Sequence, residues 1–247
     1  MLGPLVAWHL QAKWGLAAVS LCGPSSGPKV GPNLLDVARE LGVVTAPFAH
    51  TSADIADRAD PLPEFGWYVD QRDVSPPLAA WIERRRNIIK RPFFATSEKY
   101  MDPFKADIVV ASAFHPSFTD KMVALAEARP FSLRFCAAGF PACIMIRRGM
   151  EGSLGFSLGN PVDLACAVRG RDGRYRREDI SFGPADLGMP LQGDKLDRGV
   201  TAAASAAKCR EFAARGASGD EEFDKRARVT VAGMDQALKW VLAHLPN

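Results

Sequence analysis

Apolar residues recur along this chain with two periods, and the switches between them mark out its elements. Residues 5–13 read as a short amphipathic helix, 16–21 as a buried strand, and 33–41 as a second helix stopped by Gly42. Thr51 and Ser52 are placed to cap a helix reaching Arg58, the aromatic run 66–69 suits a strand, and the polar stretch between them is loop. Pro76 and Pro77 open a helix on which Leu78, Trp81, Ile82 and Arg85 follow at helical spacing. A buried strand over 107–111 precedes a helix over 115–128, with Phe118, Met122, Leu125 and Ala126 on one stripe, and a strand over 132–137 comes next.

Beyond that point the pattern shortens. Segments 142–146, 153–158, 163–168 and 174–179 are turn-bounded strands, with hairpin character at Asp172-Gly173. Helices over 201–214 and 221–245 follow, separated by a loop at 216–219, and the last carries Val229, Ala232, Leu238 and Val241 inward. The alternation of strands and helices predicts an α/β fold with a largely parallel sheet flanked by helices, read as one domain over 1–247.

Composition supports a buried core, with 47% of the 247 residues hydrophobic. The 31 basic residues are nearly matched by 28 acidic ones, so the formal charge of +3 does not by itself call for nucleic acid. Cys22, Cys136, Cys143, Cys166 and Cys209 are odd in number, widely spaced and free of a CxxC pair, which reads as buried reduced thiols in a cytoplasmic protein. His9, Gln11 and Lys13 interrupt the apolar start, which lacks the marks of a secretion signal, and no apolar run is long enough to span a membrane.

Candidate chemistry lies in four places. A loop over 23–29, with Gly23, Ser25, Ser26 and Lys29, follows a predicted strand and is suited to phosphate, or is an ordinary surface loop. Arg84, Arg85 and Arg86, followed by Lys90 and Arg91, bring guanidinium groups suited to carboxylate or phosphate, or form a solvated basic helix face. His115 stands at a helix start after a strand, where α/β proteins place ligand contacts; otherwise it is a capping or packing residue. Glu151 sits in a glycine-flanked turn. His9, His50 and His244 show no metal spacing, and there is no G-x-S-x-G elbow.

The 147–189 block, RRGMEGSLGFSLGNPVDLACAVRGRDGRYRREDISFGPADLGM, carries Gly149, Glu151, the Asp172-Gly173 turn and a closing Pro-x-x-Leu-Gly at 184–188. With GPSSGPKVGPNLLDVARELGV at 23–43, RRNIIKRPFFATSEKYMDPF at 85–104, FHPSF at 114–118 and GASGD at 216–220, it resembles the anthranilate phosphoribosyltransferase-like glycosyltransferase family 3, in its branch outside the tryptophan pathway. The resemblance implies a nucleoside phosphorylase/phosphoribosyltransferase-type catalytic domain, incomplete at its N-terminus. The Gly-Thr-Gly-Gly-Asp loop of the family and most of its small helical domain are not in this sequence, for which an internal methionine start, favoured here, or a genuinely shortened protein would account. The family dimerises through that helical domain, which leaves a homodimer open for a chain without it.

Under this resemblance Gly23, Ser25, Ser26 and Lys29 lie in a segment that contacts donor phosphate and acceptor, Arg85 contacts the acceptor, and Arg91 binds substrate. His115 contacts substrate, and Glu151 holds magnesium. Cys22 and Pro24 replace the family's histidine and asparagine, and Gly152 its second acid. An acceptor other than anthranilate, or none, follows. Two functions remain open. One is transfer of ribose phosphate from a pyrophosphate donor to a nitrogen nucleophile. The other is a degraded site whose arginines, including Arg147, Arg148, Arg169, Arg171, Arg174, Arg176 and Arg177, bind nucleic acid. A third possibility is an inactive fragment.

Overall fold

The computed structural model describes residues 1–23, 32–43, 61–85, 103–127, 142–150, 152–194 and 199–246. It divides into two compact units, 1–101 with 195–227, and 102–194 with 228–247. The chain is α/β, as its alternating pattern predicts.

In the first unit, α1 (Gly3–Trp14) begins with Pro4 in its first turn, where a missing N–H costs nothing, and stops at Gly15 in the left-handed region. Gln11, a polar break in the sequence pattern, is buried and bridges two loops: its amide donates to the Pro63 and Glu64 carbonyls, and its oxygen accepts the Ala18 amide. β1 (Val19–Cys22) then pairs in parallel with β2 (Trp67–Asp70). Between them, α2 (Leu34–Glu40) starts from a full capping box, in which Asn33 accepts the Asp36 amide at 2.9 Å and Asp36 accepts the Asn33 amide at 3.2 Å. Two further helices, α3 (Gln71–Val74) and α4 (Pro76–Arg85), follow β2. The core joins Leu5, Val37 and Tyr68 to Cys209 and Phe212, which belong to a later helix of the same unit.

The second unit holds β3 (Ile108–Ala113), α5 (Pro116–Glu127), β4 (Cys143–Arg148), β5 (Val162–Arg169) and β6 (Tyr175–Phe182). The sheet order is β3-β4-β5-β6. Only β3 and β4 run parallel; β5 and β6 return antiparallel. This sheet is therefore mixed where a largely parallel one is predicted: among the described residues no helix stands between β4 and β5, which pair antiparallel, and the expected turn at 170–173 closes β5 and β6 as a tight hairpin. Gly173 (φ 82) donates its amide to Gly170 to make that turn.

Segment 153–158 departs from the sequence reading. Phe156 and Leu158 are buried with period 2, as in a strand, but their amides donate to side chains: Phe156 to Thr230 Oγ1 at 2.9 Å and Leu158 to Asp194 Oδ1 at 3.0 Å. Side-chain acceptors thus replace the ladder partners a strand needs. The stripe on α5 is also rotated. Thr119, Met122, Val123 and Ala126 are buried, while Phe118 and Leu125 face outward. The helix expected over 51–58 and the strand over 132–137 lie outside the described residues.

Helix α6 (Ala202–Arg215) is capped by Thr201, which accepts the Ala204 amide, and ends at Gly216. α7 (Glu221–Ala243) starts at Asp220, which accepts the Phe223 amide at 3.0 Å and pairs with Lys208 at 2.6 Å. The GASGD motif is thus a helix-start cap. Val229, Leu238 and Val241 are buried as the helical period predicts, while Ala232 is only half-buried. Among the described residues no helix is long and apolar enough to cross a membrane.

Candidate functional site

In the second unit, β3 and β4 pair in register from Ile108↔Cys143 to Ala113↔Arg148, so their carboxyl ends finish at one edge. Phe114 and His115 leave β3 there and lead into α5. Gly149 (φ 80) and Gly152 (φ 76) form the turn that leaves β4. Two bonds tie the turn to the neighbouring strand: the Gly149 amide donates to Ala113 O at 3.0 Å, and the Gly152 amide to Ser112 Oγ at 2.9 Å. The carboxyl edge of adjacent parallel strands is where open α/β sheets hold ligands. The FHPSF motif and the glycine turn around position 151 are therefore brought together; Glu151 itself lies outside the described residues.

His115 is exposed. Its ring meets Phe114 edge-on at 4.8 Å between centroids and is tilted against Phe118 at 6.2 Å, while Lys121 Nζ lies 5.6 Å from the Phe118 centroid. Phe114 is 55% exposed and Phe118 38%. Two aromatic faces, an imidazole and an ammonium thus share one patch, suited to a planar, electron-rich ligand.

The shape of the turn depends on Arg147. Its side chain is buried and donates to Arg148 O and Gly155 O, each at 2.7 Å, holding both ends of the 148–155 segment. Burial lowers its affinity for the proton, partly offset by the Asp194 charge. Arg148 pairs with Asp179 at 2.8 Å, and Arg177 bonds Asp120 and Asp179. These three arginines are engaged internally, whereas Arg174 and Arg176 are exposed beside the β5–β6 hairpin that carries Arg169 and Arg171.

In the first unit the parallel pair likewise brings Cys22 opposite Asp70 at its carboxyl edge, with Gly23 following. Asp70 accepts the Arg72 amide at 2.9 Å and two bonds from Arg72 Nε at 3.1 and 3.0 Å. Burial raises the Asp70 carboxyl, but Arg72, with help from Arg39, outweighs it and leaves the group below its ordinary value. Burial, and then the Asp70 charge, push the Cys22 thiol up to about 12. It remains a neutral thiol bonded to Val69 O.

Arg85 is the last residue of α4, and its neighbour Arg84 stacks on Trp81 with its guanidinium 5.1 Å from the ring centroid. Ser25, Ser26, Lys29 and Arg91, like Glu151, lie outside the described residues. Among the described residues no group of three metal-ligating side chains occurs. Sequence reasoning missed Ser112, whose signal was a lone hydroxyl near the end of the apolar run IVVASA.

No family model matches the chain. Over 99 residues it is 29% identical to an uncharacterized protein of Aquifex aeolicus (strain VF5), a similarity covering 40% of this chain and 26% of that protein, so the chain spans about a quarter of the curated relative it matches.

Proposed function

We propose that this chain is a glycosyltransferase of the phosphoribosyltransferase type, moving ribose phosphate from a pyrophosphate donor to a nitrogen nucleophile. The observation that carries the reading is the convergence of His115 and the Gly149/Gly152 turn on one carboxyl edge, tied by the Ser112–Gly152 bond. Glycines at that turn let a sugar phosphate approach the backbone closely. The reaction needs position and charge neutralisation rather than a covalent nucleophile, since the anomeric carbon is attacked as pyrophosphate departs. The thiols of Cys22, Cys143, Cys166 and Cys209 are all held protonated by burial, in keeping with chemistry that uses no thiolate.

Magnesium, when bound, supplies the charge that offsets the departing pyrophosphate. One protein carboxylate, Glu151, together with the donor's own phosphate oxygens is the arrangement that suits a cation which dehydrates reluctantly. In this reading His115 and its flanking phenylalanines orient the acceptor ring. Calorimetric titration of phosphoribosyl pyrophosphate gives metal-dependent heat under this proposal; silence at millimolar donor overturns it.

Nucleic-acid binding on the same fold is a second reading, supported by exposed Arg174 and Arg176. It calls for retardation of an oligonucleotide at low salt that fades as salt rises.

A further inference from the structure

A second concavity lies in the second unit at the opposite end of the sheet from His115. There β3 and β4 begin, at Ile108 and Cys143, while β5 ends at Arg169 and β6 begins at Tyr175. A cleft of about 550 Å³ opens at this edge, lined by Lys105, Asp107, Arg169 and Arg171 with Leu245 and Pro246. That volume falls in the range of small-molecule sites, roughly 300–1,000 Å³. The six-residue strand β3 separates it from the carboxyl edge by about 20 Å. It is thus independent of the donor site proposed above.

Among the described residues three cations and one carboxylate line the cleft, an excess of two positive charges in that lining. The nearest turn acid, Asp172, is outside the lining and directs its carboxylate to the Arg174 amide at 3.0 Å. Neither Lys105 nor Arg169 takes part in an ion pair among the described residues. Lys105 also adopts a left-handed backbone (φ 55), the one non-glycine residue among those described to do so. A lysine held in that conformation at the mouth of a basic cleft is placed at some conformational cost. Leu245 and Pro246 add an apolar wall to the cationic one.

We propose that this cleft binds a small phosphomonoester bearing an apolar or planar body. The dianionic head meets Arg169, Arg171 and Lys105, and the body lies against Leu245 and Pro246. A phosphate ester carries close to two negative charges at neutral pH, matching the excess, and arginine presents the paired donors that its oxygens accept.

The test titrates AMP, and separately inorganic phosphate, into the full chain without magnesium, by calorimetry. AMP is expected to bind more tightly than phosphate. Arg169→Gln and the turn variant Arg171→Gln each weaken AMP by about tenfold or more, while His115→Ala binds it as the parent does. Arg171 sits in an exposed turn, so its variant keeps the comparison valid if Arg169→Gln folds poorly. AMP binding unchanged in both arginine variants, or lost in His115→Ala, overturns the proposal. So does a duplex oligonucleotide that binds through Arg171 while AMP gives no heat.

Discussion

The Ser112 hydroxyl accepts the Gly152 amide at 2.9 Å, joining the turn after β4 to the end of β3 across 40 positions of sequence. Ser112 is buried, so the bond is shielded from water. Ser112→Ala removes the acceptor and leaves the turn to find another. The expected loss is about 1 kcal/mol of stability, read as a lower denaturant midpoint at unchanged slope. A larger proportional loss is expected in donor affinity, because the turn and not the core is released.

Arg147 is the internal strut of the same turn. Arg147→Met keeps the buried stem but leaves the Arg148 and Gly155 carbonyls without their donors, at an expected cost of roughly 2 to 4 kcal/mol. Arg147→Lys retains a charge but not the forked geometry that reaches two carbonyls at once, and falls between the two. Equilibrium unfolding of the three proteins ranks them; equal stability of the parent and the methionine variant would remove Arg147 from this role.

Gly66 and Gly216 separate two costs of adding a methyl group. Both have positive φ, 79 and 73, but a Cβ on Gly66 would stand 2.6 Å from Ala18 O, whereas one on Gly216 meets nothing within 4 Å. Gly216→Ala therefore costs only backbone strain, about 1 kcal/mol. Gly66→Ala adds a clash against backbone beside β2 and is expected to lose at least twice as much by the same measurement.

Titration of buried and paired groups sets the pH limits of the fold. Asp70 and Asp220 are held below the ordinary carboxylate value of 3.8, Asp220 chiefly by its Lys208 hydrogen bond. The unfolded chain binds those protons more tightly than the folded one. The stability they contribute is present above pH 3.8 and lost as pH falls through their lower folded values. Cys22 and Cys166 are raised to about 12 and Cys143 and Cys209 to about 11 from 9.0, mainly by burial. Their contribution is complete below pH 9 and disappears as pH rises toward 11 and 12. Folded protein at pH 8 should thus react with a thiol reagent at buried Cys143, Cys166 and Cys209 only as fast as it opens, sooner at half-buried Cys22, and freely at all four once denatured.

Local signals in this sequence are strong where chemistry is local. Asn33 three residues before Asp36, Thr201 before an alanine-rich run, and Gly15, Gly42 and Gly216 at helix ends each fix a boundary through bonds made within a few residues. Asp172-Gly173 likewise announces the hairpin. What periodicity could not reveal is where an amide finds its acceptor. Segment 153–158 has the alternation of a strand, yet its partners are Thr230 and Asp194, 74 and 36 positions away. The α5 stripe was misplaced for a related reason: Thr119 is fully buried and Phe118 is not, a choice made by the sheet it packs on. In the site, His115 was legible from its place after a strand. Ser112 and Arg147 were not, because their roles appear only once β3 and β4 are side by side.

The central claim is that the carboxyl edge of β3 and β4 holds a phosphoribosyl donor. The most direct test titrates phosphoribosyl pyrophosphate into the parent, Ser112→Ala and His115→Ala proteins, with and without magnesium. The account predicts heat in the parent that needs magnesium and is weakened in Ser112→Ala. Absence of binding in the parent, or binding indifferent to magnesium and to Ser112, would contradict it.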